Sequence, residues 1–452
     1  MWLSLMFMFT PSRDRIFTDL QQMVAFESVH GDDSVRSQYE ASAEWVKNAF
    51  LGVGACAEII EGVDKSLAIL GEVPGDPNNN RTVLLYAHHD IIALGPREDW
   101  DNEPLEITER DGRWWGRGTA DCKGHIAMHL EVLRLIKDEP NLPTIKFVIE
   151  GSEENGGLGL KQLLEDRPEL FEAEAIFVVD TGNTEPGAPS VITLQRGSAQ
   201  VRVQCDTMDG PVHSGKFGGA APDAVAALIR ALDSIRDDTG RCIIDGVDCT
   251  GEWDGEEYPE DKFRLDAGLL EGTELPDGDI ASFIWARPAV TITGFSSTPV
   301  EDAVNAVPAT AQAHLNLRVP PRQRSSKGKR ITTAKTANLL IEHLQNHTPW
   351  GAQLSAEVLA INRAYRAEED GEVLNLLREC MSDAYGVDAS EIGTGGSIPL
   401  TVELHEAFPD AEIALFGAAD LTSNIHSPQE SVDPSEIEQM AITEALFLTR
   451  FR

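Results

Sequence analysis

Basic residues are scarce in this chain of 452 residues: 37 Lys and Arg stand against 75 Asp and Glu, a formal charge of −38. That shortage argues against nucleic acid or an anionic membrane as a partner, since either needs a concentrated basic face. Cysteine is sparse too. Cys56, Cys122, Cys205, Cys242, Cys249 and Cys380 form no CxxC pair, so neither a structural zinc knot nor a redox motif is indicated, and a reducing compartment fits. Internal repeats and low-complexity tracts are absent. The apolar start "MWLSLMFMF" is too short to span a bilayer, has no basic segment before it and no small-residue cleavage site after it. It reads as a ragged start, and the protein as cytoplasmic. What remains is 42% hydrophobic and 25% charged residues, the balance of a globular protein long enough for two or three domains.

Residues 13–51 carry apolar positions at helical spacing and read as helix. Strands and helices then alternate: "KSLAILGEV" and "RTVLLYAHHD" as strands, "HIAMHLEVLRLIKD" as helix, "TIKFVIEG" as strand, "GLKQLLEDR" as helix and "AEAIFVVDTGN" as strand. Continuous apolar strands alternating with helices predict an α/β domain whose mixed, mostly parallel sheet is flanked by helices. Near residue 195 the pattern changes to period two in "SAQVRVQCDT", and a small α+β unit follows. An acidic, Gly-rich stretch at 245–280 reads as a loop-rich insertion within it. The expected organisation is a first domain over 1–195, an inserted domain over 196–356, and a return to the first domain over 357–452.

Ligands in such sheets sit beyond the carboxyl ends of the strands, and several strands here end in metal-ligand types. "YAHHD" delivers His88, His89 and Asp90, the turn "GRGTADCKG" holds Asp121, "EGSEENGG" delivers Glu153 and Glu154, "FVVD" ends at Asp180, and "LTSNIHSP" offers His426 in a loop. One strand-end Asp is ordinarily a cap or salt-bridge partner. Imidazoles and carboxylates presented repeatedly along one edge suit divalent zinc, cobalt or manganese. The donors exceed what one tetrahedral ion uses, which points to a two-metal site with ions about 3.5–4 Å apart. Because i and i+2 share a strand face, His88 and Asp90 project together. Asp90 can then accept the spare N–H of His88, while His89 points elsewhere and reads as structural.

In order and spacing, "HHD", "GRGTADCKG", "EGSEENGG", "VVDTGN" and "NIHSP" resemble the superfamily of aminoacylases, carnosinase-like dipeptidases, carboxypeptidases and succinyl-diaminopimelate desuccinylases. The resemblance spans nearly the whole chain. It implies a zinc-peptidase-like catalytic domain, with the insertion as a lid or dimerisation domain and a homodimer formed through it. It makes Asp121 a carboxylate bridging two divalent metal ions, His88 and Asp180 ligands of one, and Glu154 and His426 ligands of the other. Zinc is the expected metal, with manganese and cobalt as alternatives. Glu153 becomes the general base on the bridging water, and Asp121–Cys122 falls where the family has a cis peptide. In the lid, His213 matches a histidine that stabilises the tetrahedral oxyanion. Asn305, Arg318 and the loop Gly395, Gly396 and Ser397 match substrate-contacting positions. The insertion, "FIWARPAVTITGF" and "GGSIP" lean toward the carnosinase-like dipeptidases. Two departures stand out: "SSTPVEDAVNAVP" replaces a Gly- and Lys-containing segment, and Gly393 stands where an Arg often precedes the "GGSIP" loop. Carboxylate recognition then falls mainly to Arg318. The reaction implied is hydrolysis of small peptides, with N-acyl-amino-acid hydrolysis by the same centre as the alternative.

Overall fold

The computed structural model describes residues 9–367, 371–396 and 398–452. Residues 1–8 of the apolar start and Ser397 of the expected substrate loop lie outside the described residues. The chain forms two compact units: Met1–Thr193 with Ala367–Ile392 and Pro399–Arg452, and Leu194–Arg366 with Gly393–Ile398.

In the first unit, the helical reading of 13–51 resolves into α1 (Arg13–Val24) and α2 (Arg36–Gly52). Between them "AFESVHGDDSV" supplies Gly, Ser and Asp, which favour turns. The side chain of Ser12 accepts the N–H of Arg15 and so starts α1. There follow β1 (Cys56–Glu61), β2 (Leu67–Val73), β3 (Thr82–His88), α3 (Lys123–Ile136), β4 (Thr144–Glu150), α4 (Leu158–Asp166), β5 (Ala175–Val179) and β6 (Ser190–Gln195).

The second unit contains β7 (Gly197–Asp206), α5 (Ala224–Asp233), β8 (Ala289–Ser296), β9 (Thr310–Val319), α6 (Thr333–His347) and β10 (Gln353–Asn362). Its sheet runs β8-β9-β7-β10, antiparallel throughout. The period-two pattern sends Ala199, Val201, Val203 and Cys205 of β7 inward, into one cluster with Ala227 and Leu228 of α5 and Leu340 and Leu344 of α6. The expected limit at residue 356 falls inside β10, which pairs with β7 as far as Asn362↔Ser198. The unit therefore continues to Arg366 and takes in Gly393–Ile398 as well. The acidic stretch at 245–280 is largely irregular, with one short helix at Glu260–Asp266.

The first unit resumes with α7 (Glu372–Tyr385), β11 (Glu412–Phe416) and α8 (Pro434–Arg450). Its sheet is mixed, with the path β1-β2-β4-β3-β5-β11-β6. The pairs β4-β3, β3-β5 and β5-β11 at the centre are parallel, and the flanking pairs are antiparallel. Phe177 of β5 meets Phe416 of β11 and Phe447 of α8 edge-on, with ring centroids 5.1 and 4.7 Å apart. All three are fully buried, each contributing roughly 1.5–3 kcal/mol through removal from water. The parallel register sets His88 beside Glu150 and Tyr86 beside Val178. The segments leaving β3, β4 and β5 therefore emerge side by side along one edge.

Candidate metal centre and active site

At that edge the strand-end residues converge around Asp121. Oδ1 of Asp121 lies 2.9 Å from His88 Nε2, which is itself 3.3 Å from Asp180 Oδ1. Oδ2 of Asp121 lies 3.0 Å from His426 Nε2, which is also 3.0 Å from Glu154 Oε2. One carboxylate thus faces two separate donor pairs, one oxygen to each. Glu153 and Glu154 sit in a tight turn closed by Gly156 in the left-handed region (φ 88°). Gly157 follows at φ 63°, and a Cβ there would come within 2.6 Å of Glu150 Oε1, so the glycine pair is required for the return of the chain. The Asp121–Cys122 peptide is cis.

Asp90 is fully buried and does more than the sequence suggests. Its Oδ1 and Oδ2 accept the main-chain N–H groups of Glu153 and Glu154, at 3.2 and 3.1 Å. His88 Nδ1 lies 3.1 Å from the carbonyl oxygen of Asp90 and 3.4 Å from its carboxylate. The tautomer is therefore held chiefly by the main chain, while the carboxylate fixes the Glu153–Glu154 turn. His89 turns away: Nε2 donates to Leu67 O (2.9 Å) and Nδ1 accepts from the Ser42 hydroxyl (3.2 Å). Burial depresses it to about 4, so it is neutral and structural.

Burial, reinforced by the charge of Asp180, pushes Glu153 up to about 9. Such a shift out of the usual carboxylate range is typical of proton-transfer groups, and cations bound beside Glu153 would favour its ionised form. Hydrogen bonds to Asp121 and then Glu154 raise His426 to about 10. Burial alone would raise Asp121, but hydrogen bonds from His426 and His88 overcome it and hold the carboxyl well below its ordinary value. Concentrated carboxylates with imidazoles between them suit divalent cations, and the split of Asp121 suits two. Cys122 also lies within reach of His88 and Asp180. Its thiol donates to Val179 O and is pushed well up by burial, so it is a packed thiol rather than a thiolate ligand. A further grouping in the second unit, Asp245, His343 and His347, is internally satisfied. There His343 Nδ1 accepts the Asp245 N–H and Nε2 donates to Ser234 O.

Glu430 escaped the sequence reading. Fully buried, it accepts the N–H groups of Ala120 and Asp121 on Oε1 and that of Gly118 on Oε2, with Arg117 Nη1 2.7 Å from Oε2. It fixes the loop that presents Asp121. Its only signal was an acidic residue shortly after His426.

In the second unit His213 is exposed, its Nδ1 accepting the Gly215 N–H. Asn305 is its neighbour: the Ser214 N–H donates to Asn305 O, and His213 pairs with Ala306. Arg318 is half-buried on β9. The N–H of Gly396 is committed to Thr394 Oγ1, which removes one of the donors expected from the Gly-rich loop.

A model of peptidase family M20/M25/M40 matches residues 84–450. A cysteinylglycine-S-conjugate dipeptidase from Corynebacterium striatum is 44% identical, the match covering 98% of this chain and 97% of that protein. A human Beta-Ala-His dipeptidase is 26% identical over 84% of this chain and 76% of its own. Among solved structures, the di-peptidase Dug1p from Saccharomyces cerevisiae superposes with a TM-score of 0.76 at 21% identity, covering 97% of this chain and 96% of that one. Human carnosine dipeptidase 1 gives 0.78 at 20% identity, covering 97% and 96%.

Proposed function

The chain belongs to peptidase family M20/M25/M40, and on that premise we infer that it is a metal-dependent dipeptidase that cleaves small peptides with Glu153 as general base. The observation that carries this reading is Asp121, with one oxygen toward His88 and Asp180 and the other toward His426 and Glu154. These five residues would hold two divalent ions, zinc foremost, with manganese or cobalt able to replace it. When bound, such ions lower the pKa of a water and polarise the scissile carbonyl. Glu153 takes the proton from that water and returns it to the leaving nitrogen. Asp90 keeps Glu153 in place through its hold on the turn.

His213 and Asn305 serve the developing oxyanion and the substrate, and Arg318 the substrate carboxylate. Gly395, Gly396 and Ser397 are assigned to the wall around the substrate terminus. The substrate class is a dipeptide with a free carboxylate, and a cysteinylglycine bearing a group on sulfur is the first to test, because the 44% identical relative carries that name. The six free thiols support action in the cytoplasm. A homodimer through the lid is supported by the outer strand β8, which leaves Ile292 and Phe295 exposed.

The test is a panel of free dipeptides beside N-acylated amino acids, run with each metal. Cleavage of dipeptides that stops with chelator supports the reading. Turnover of N-acetyl or N-succinyl amino acids alone would replace it with an amidohydrolase.

A further inference from the structure

Arg196, between β6 and β7, buries its guanidinium without a counter-charge. Its accessibility is 9%, and Nε and Nη1 are buried with no hydrogen-bond partner. No carboxylate among the described residues pairs with it. A second guanidinium lies beside it, for Arg318 on β9 stands opposite Ser198, two residues beyond Arg196. The charge of Arg318, after burial, is what brings Arg196 down to about 10. Arg318 has no hydrogen-bond or ion-pair partner among the described residues either. Two partly desolvated like charges are costly together unless an anion joins them.

The Gly-rich loop completes the arrangement. The Arg196 N–H donates to Thr394 O, and a Cβ on Gly395 would fall 3.0 Å from Arg196 Nη2. The loop main chain therefore lies directly against the guanidinium. At Gly393 the space for a side chain is already filled, because a Cβ there would meet Trp285 at 2.6 Å. Trp285 is fixed by Trp253 and Tyr258 of the insertion, with ring centroids 5.0 and 6.0 Å away.

We propose that Arg196 is a specificity-determining residue which, with Arg318, forms a two-guanidinium seat for the terminal carboxylate of the substrate, and that Trp285 excludes any cation from position 393. A planar fork binds both oxygens of a carboxylate, and two forks discriminate an acid from its amide. The identity of the anion rests on the dipeptidase reading.

The test compares a dipeptide with its C-terminal amide for the metal-loaded wild type, Arg196→Met and Arg196→Lys. In Arg196→Met, KM for the acid should rise roughly 10- to 100-fold, the range for loss of a charge-assisted pair, while kcat and amide hydrolysis change little. Arg196→Lys should recover part of the loss. The melting temperature of Arg196→Met should be equal or higher, since an uncompensated charge is removed. Equal losses for acid and amide, a lowered melting temperature, or unchanged KM overturns the proposal. If the wild type cleaves no dipeptide, the dipeptidase reading fails, and the seat is then read by calorimetry. N-acetylglycine should bind wild type but not Arg196→Met, and N-acetylglycinamide neither. Equal binding of acid and amide by the wild type refutes the seat.

Discussion

Replacing Glu430 by alanine should damage the centre without touching a metal ligand. The substitution strands the N–H groups of Gly118, Ala120 and Asp121 and leaves Arg117, which is 2% exposed, without its carboxylate. Breaking a buried pair by removing one partner costs about 3–5 kcal/mol, and each abandoned buried donor adds roughly 1–3 kcal/mol where water cannot reach it. Arg117 retains a bond to Ser427 O and stacks over Trp100 at 5.1 Å, so part of its loss is softened. A net destabilisation of about 4 kcal/mol is expected. Glu430→Gln keeps one acceptor oxygen but turns an NH2 group toward another donor, so it should recover only part of the loss. The assay is denaturant unfolding of the metal-free protein, paired with metal content after dialysis against a buffered zinc supply. Both variants should unfold at lower denaturant and retain less metal, in the order alanine below glutamine below wild type. An alanine variant with wild-type unfolding and full metal content would refute the claim that Glu430 holds the Asp121 loop.

Glu153→Ala should lose at least 10²-fold in turnover, the lower range for a general base, and keep its metal, whereas Glu154→Ala should weaken metal retention; metal analysis and kinetics on the same preparations separate the two. His89 is neutral when folded, at about 4 against 6.5 for the free group, so the unfolded chain binds the proton first as pH falls. Stability is full above 6.5 and is lost from there to about 4, by about 3 kcal/mol for this group; in His89→Gln, unfolding curves across that window should lose most of this slope. Gly182→Ala should destabilise by about 1–3 kcal/mol and weaken metal retention, because its Cβ would collide with the Ala419 carbonyl two residues from Asp180. Wild-type melting of that variant would contradict the packing described.

His88, Glu153, Glu154 and Asp180 were legible as candidates because each closes or follows an apolar strand, and a parallel sheet brings such ends to one edge. Asp121 and His426 lie in a turn and a loop, and their assignment as candidate metal donors rests on the resemblance. Glu430 could not be named, since its importance lies in three main-chain donors remote from it in the chain. Arg196 was hidden in the same way. A residue between two strands announces nothing until β9, Thr394 and Gly395 are placed beside it. The boundary at 356 failed because "QLSAEVLAIN" reads as one alternating strand only when its pairing with β7 is known. His89 was read correctly because strand alternation alone decides which way it points.

The position of β11 has a consequence for synthesis. It fills the place between β5 and β6, yet it leaves the ribosome only after the entire Leu194–Arg366 unit has been made. Until then β5 and β6 lack their common neighbour and expose unpaired edges, which invite pairing with other chains. Parallel pairing over so long a sequence separation is also slow to form. His426 and Glu430 arrive later still. A chain terminated before Glu412 therefore has an open sheet and lacks His426, one of the five residues proposed to hold metal, and Glu430, which fixes the Asp121 loop; a complete proposed donor set would then report that translation reached its end.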